Sequence, residues 1–244
     1  MKKIKSYFVN LPKGVKLIVG INILVYLIGL ISLNYFSFDI NYYLGIHPTH
    51  SDQFRIYQII TCMFTHSYYP IHIILNLIFL LLYSVSFERM FGFKKYILMY
   101  LLSGISCGLF YNSSQNSEFE YSTKKLTSMG IDYKKLNEFN IYEYPKETRK
   151  IINRYITSNY SGIGASGTVF GFIVSFMFFN LKRIKNIGVL ILIGMGVYQI
   201  YLNVITFFPL DYDYLGSSIG HIGGLTFGLL SSIYLYDKKN NLNH

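Results

Sequence analysis

Runs of about 20 residues with almost no charge constrain this chain more than any other feature, because a backbone inside a bilayer must satisfy its own polar groups and only helices or closed barrels do so. Six such blocks are legible, at residues 15–33, 71–87, 96–111, 162–180, 187–208 and 217–236, the second and third somewhat short. Composition agrees: 52% of the residues are hydrophobic and 14% charged, gathered into blocks and not spread at the spacing of a soluble domain. The expected fold is an all-α membrane protein, a bundle of six transmembrane helices. A polar stretch at 112–160, rich in Asn, Ser, Lys and Glu, reads as an extramembrane insertion between helices 3 and 4, with short helices around 133–139 and 146–156 and no catalytic candidate. The chain thus divides into a cytoplasmic N-terminal segment (1–14), the membrane domain with its insertion (15–236) and a cytoplasmic tail (237–244).

Orientation follows from the lysines and arginines of the short connections. Lys2, Lys3, Lys5, Lys13 and Lys16 precede the first block, Arg89, Lys94 and Lys95 follow the second, Lys182, Arg183 and Lys185 the fourth, and Lys238 and Lys239 the sixth. The first and fifth connections carry only Arg55 against Asp39, Asp52, Asp211 and Asp213. Both termini are therefore expected in the cytoplasm and the protein in the cell membrane, with the first block a retained signal anchor. The net charge of +10 is accounted for largely by this pattern, with some attraction to anionic headgroups of the bilayer, and nucleic acid is not an expected partner. Cys62 and Cys107 build no disulfide framework. With no tryptophan, the interfacial belt falls to the 24 tyrosines.

Polar side chains at membrane depth are costly and are functional candidates by default. They are His72 and Asn76 in the second block, Ser166 in the fourth, Gln199 and Asn203 in the fifth and His221 in the sixth. His72 and Asn76 are four apart and share a helix face. Ser166 and His221 each lie some five residues inside their blocks, at about 8 Å depth from the outer boundary by helical rise. Four polar groups from three spans thus share one layer. Gly167, Gly171 and Ser175 form an i, i+4 stripe on the fourth block, and Gly220, Gly224, Gly228 and Ser232 another on the sixth. Packed stripe on stripe, the two helices bring the serine within reach of the imidazole. A positioned neutral histidine activates a serine, and His72, Asn76 and the Ser166 N–H are available to an oxyanion. With no carboxylate at that depth, the arrangement is a Ser-His dyad.

Each feature also has a plain structural reading. Small-residue stripes occur in many helix bundles, and an intramembrane histidine or asparagine can serve as interhelical glue. Convergence in one layer favours function. Gln199 and Asn203 read either as lining a wet cavity or as helix cross-links, the second reading being favoured, His47 and His50 ("HPTH") as a solvated turn and His66 as structural. H-E-x-x-H, paired intramembrane aspartates, a P-loop and a dinucleotide fingerprint are all missing, so no metal and no cofactor is expected.

Three motifs in order, "HIILN" (His72 to Asn76), "GASG" (Gly164 to Gly167) and "GHIGGLTFG" (Gly220 to Gly228), resemble those of the rhomboid family of intramembrane serine proteases over roughly residues 15–110 and 161–236. Glu88 with Gly92 resembles the family's motif after the second helix, whereas Tyr57-Gln58 stands where the family often has Trp-Arg. The resemblance implies Ser166 as nucleophile, His221 as general base and His72 with Asn76 at the oxyanion. It also implies a water-filled cavity open to the outer side and lateral entry of a substrate helix past the fifth span. The implied activity is serine-type endopeptidase cleavage of single-span transmembrane proteins. The alternative is a rhomboid-like pseudoprotease or scaffold that binds membrane clients uncut, and a proton-relaying transporter is weaker because the chain shows no repeat.

Overall fold

The structure, a computed structural model, describes residues 10–138, 140–183, 185–207 and 212–241, and the side chains of Asn203, Asp211 and Asp213 lie outside that set. It is all-helical, with no strand among the described residues beyond one antiparallel bridge between Ile46 and Gly162. The α-helices among the described residues are α1 (Lys13–Phe36), α2 (Ile40–Leu44), α3 (Gln58–Thr61), α4 (Pro70–Phe91), α5 (Phe93–Ser128), α6 (Lys146–Ser158), α7 (Ser166–Asn180), α8 (Ile187–Phe207) and α9 (Tyr212–Asn241).

Length and composition suit three helical segments to crossing a membrane, Lys13–Phe36, Pro70–Phe91 and Gly216–Lys238, and two shorter apolar segments are Ser166–Asn180 and Ile187–Leu202. The remaining apolar block, 96–111, is the first half of α5, which runs on without a break to Ser128. The expected boundary at 112 is therefore not a structural one. Large apolar side chains stand exposed along the bundle, among them Leu24, Leu27 and Ile31 on α1 and Leu229, Leu230 and Ile233 on α9, a surface suited to lipid.

Local chemistry sets the breaks. Pro70 opens α4 at a first-turn position that needs no N–H. Gly92, at φ +82°, separates α4 from α5 in a conformation that suits glycine. The start of α1 has no side-chain cap of its own; instead the buried Glu88 of α4 accepts the Gly14 N–H at 2.8 Å and the Val15 N–H at 2.7 Å. Two of the orphan donors of the helix are thus met from 74 and 73 residues away. The chain before α4 is fastened similarly: Gln58 is buried, donates to the carbonyls of Tyr43 and Gln53, and accepts from the His47 and Arg55 N–H groups.

At the centre stands α7, packed against α4, α5, α8 and α9, with Val169, Phe172 and Ile173 buried. A Cβ built on Gly224 of α9 overlaps the Gly167 backbone of α7, and one on Gly228 falls 2.5 Å from the Gly171 carbonyl oxygen. The small-residue stripes therefore meet at backbone contact. Beyond the bundle, the C-terminal half of α5 and α6 enclose a small core of Leu126, Leu136 and Ile152, tied by an ion pair of Arg154 with Glu118 at 2.7 Å. The expected helix at 146–156 is α6.

Candidate active site

Ser166 is the first residue of α7, and the turn before it has an exacting geometry. Gly164 adopts φ +116°, and a Cβ there falls 3.1 Å from the His72 ring, so both conformation and space call for glycine. The Gly164 N–H donates to the Cys62 carbonyl at 2.9 Å, and Gly162 bridges Ile46. His66, buried just before α4, presents Nε2 to the Ala165 N–H at 3.5 Å. Burial pushes its pKa down to about 4, so the ring is neutral near pH 7. The first turn of α7 has no side-chain cap, which leaves its N–H groups and the positive end of the helix facing the approach to Ser166.

On α9, His221 places Nε2 2.7 Å from Ser166 Oγ. Its ring stacks on Phe170, one turn beyond the serine, with centroids 4.5 Å apart and planes 22° apart. On α4, His72 Nδ1 accepts the Ser67 N–H at 3.0 Å, so in the neutral ring the proton sits on Nε2, beside the Gly164 turn. Asn76 is buried and donates through Nδ2 to the His72 carbonyl at 2.9 Å, leaving its second N–H for another acceptor.

Two cavities meet at these residues. One, about 270 Å³, is lined by Ser166, His221 and His72 together with Tyr111 and Gln115 of α5, Thr157 of α6 and Tyr160. The other, about 430 Å³, shares Ser166, His221 and His72, adds Asn76, and runs between α4 and α8 past Leu75, Phe79, Gln199 and Leu202. All four sequence candidates thus border one connected space. Of the two readings of Gln199, the cavity-lining one matches its place in the wall of the second cavity. The "HPTH" segment is no solvated turn either: His47 is buried with Nε2 2.7 Å from the Tyr42 carbonyl, and His50 meets Asn116 and Asn159. No cluster of metal-binding side chains occurs among the described residues. Cys62 and Cys107 are both free thiols.

Sequence reasoning missed Phe170, although its i+4 relation to Ser166 put it on the same face. It also missed the Ser67 N–H, which carries no side-chain signal, and the lining residues from the 112–160 segment.

A family model described as the Rhomboid domain matches residues 53–130 and 145–238, well over half of the chain. The chain belongs to the rhomboid family. No curated protein and no solved structure matches it. Rhomboid membership and the apolar helices make it an integral membrane protein. Between residues 53 and 238 the match is interrupted at 131–144, a gap shorter than the insertion expected at 112–160. All of α5 and all of α6 therefore fall inside the rhomboid match.

Proposed function

We propose that this rhomboid protein is an active intramembrane serine endopeptidase that cleaves single-span membrane proteins with a Ser166–His221 dyad. It spans the cell membrane six times with both termini in the cytoplasm. The observation that carries the reading is the 2.7 Å contact between Ser166 Oγ and His221 Nε2 inside a cavity that His72 also borders. A serine hydroxyl at that distance from a neutral imidazole can give up its proton as Oγ attacks the peptide carbonyl carbon. The oxygen that gains charge faces donors that bring no net charge of their own: His72 Nε2–H, the Ser166 N–H at the helix start and the second N–H of Asn76. Collapse breaks the C–N bond, and the amine leaves with the proton from His221. Water then attacks the acyl-serine with His221 again as base, releasing the carboxylate and restoring Ser166. The second cavity, between α4 and α8, offers a lateral path for a substrate helix.

The test is reconstitution in liposomes with a generic single-span substrate, beside Ser166→Ala. Cleavage by the parent and none by the variant is expected. If the folded parent neither cleaves nor reacts with a serine-directed phosphonate at Ser166, the reading fails and the client-binding scaffold takes its place.

A further inference from the structure

The near end of the segment from α6 to Ser166 is held in large part from α5. Gln115 is buried and spends both amide hydrogens: Nε2 donates to the Thr157 carbonyl at 2.8 Å and to Tyr111 Oη at 3.1 Å. Tyr111 Oη in turn donates to the Tyr160 carbonyl at 2.8 Å. On its other side Gln115 meets α9, where a Cβ on Gly216 falls 2.8 Å from Oε1, five residues before His221. Both side chains line the cavity that holds Ser166 and His221.

We propose that Gln115 and Tyr111 are positioning residues that couple the extramembrane cap, built from the C-terminal half of α5 and α6, to the strap 157–165 and so to Ser166. The physical case is continuity. The tie at Thr157 fixes the end of α6, and the tie at Tyr160 fixes the first strap residue beyond Asn159. The Ile46–Gly162 bridge, the Gly164 bond to Cys62 and the His66 contact to Ala165 complete the hold up to the nucleophile. Without the first two ties the near end of the strap keeps only the longer His50 contact to Asn159, 3.3 Å, and the entry angle of α7 is less firmly set. Distances that decide proton transfer are sensitive to shifts well under an ångström. The cap, read from sequence as an extramembrane insertion with no catalytic candidate, is on this account one of the supports of the chemistry.

The inference rests on the protease reading for its effect on rate but not for its structural content, so two measurements are paired. Hydrogen exchange in micelles, on full-length parent, Gln115→Leu and Tyr111→Phe, reports the Gly162 and Gly164 amides. Loss of a tie worth a typical net hydrogen bond should speed their exchange about tenfold, leaving core amides of α7 unchanged. The rate of phosphonate labelling at Ser166 should fall by a similar factor in each variant, and by no more in the double variant, since both substitutions break one connected unit. A lowered melting temperature with unchanged strap exchange overturns the proposal, as does an additive, about hundredfold loss of labelling in the double variant. An unlabelled parent counts against the protease reading alone, and the exchange data still decide the coupling.

Discussion

Glu88 offers the most quantitative test of how the bundle is held. Its carboxylate accepts two backbone N–H groups at the start of α1 and lies against Gly14, where a Cβ would fall 2.9 Å from Oε2. Hydrogen bonds to a charged acceptor contribute roughly 1.5–3 kcal/mol each, about twice the neutral value. Glu88→Gln keeps the shape but offers one neutral acceptor and turns an N–H₂ toward the second donor. One bond is weakened and the other is lost, leaving a buried donor unpaired. The combined cost is about 2–4 kcal/mol. For a chain of this size each kcal/mol lowers Tm by roughly 2–4 °C, so a fall of about 5–15 °C is expected. The assay is thermal unfolding in detergent micelles, followed by intrinsic tyrosine fluorescence and by loss of solubility. Glu88→Ala should fall further, because both acceptors vanish. A Glu88→Gln protein that melts within 2 °C of the parent refutes the reasoning, since it would mean that the α1 donors find other partners at no cost.

Three further outcomes are expected. Ser166→Ala and His221→Ala should each abolish cleavage in liposomes while the protein stays folded, and the double variant should lose nothing more, because the pair acts as one unit. His72→Ala and Asn76→Ala should each lower turnover by roughly one to three orders of magnitude without removing it, the usual effect of losing one oxyanion donor; unchanged rates in both return these residues to a packing role. Gly228→Ala sets a methyl 2.5 Å from the Gly171 carbonyl oxygen and should cost about 1–3 kcal/mol through overpacking, read as a lower Tm with a parallel loss of Ser166 labelling.

What sequence makes legible here depends on how far apart the deciding partners lie. The helical content of the apolar blocks follows from local composition, and His72 with Asn76 on one face follows from helical spacing. The meeting of Ser166 with His221 could be inferred because two glycine stripes of the same period announce a close contact. Glu88 carries no such announcement. Its motif was visible, but its partners are backbone groups 74 and 73 residues away, and backbone donors have no sequence signature. The same holds for the Ser67 N–H that fixes the His72 tautomer. In the 112–160 segment polarity suggested a peripheral addition, yet Gln115 is buried because its amide satisfies the Thr157 carbonyl and Tyr111 Oη. Composition reports solvent contact on average and says little about one amide that turns inward.

The glycine stripes and the polar pair are parts of one arrangement. The 2.7 Å contact between Ser166 and His221 forms where α7 and α9 also meet at backbone contact. Helices with ordinary side chains at their contact lie 8–10 Å apart. A Cβ at Gly224 would overlap the Gly167 backbone, next in sequence to the nucleophile. Any side chain there pushes α9 outward and lengthens the Ser166–His221 contact by a similar amount. Phe170 then limits the remaining freedom, because its stacked ring holds the His221 plane while the backbone contact sets the distance. The pair sits near the N-terminal ends of α7 and α9, on the wall of the first cavity. The close glycine contact thus helps to set the Ser166–His221 distance on which the proposed chemistry depends, beyond its contribution to holding the bundle together.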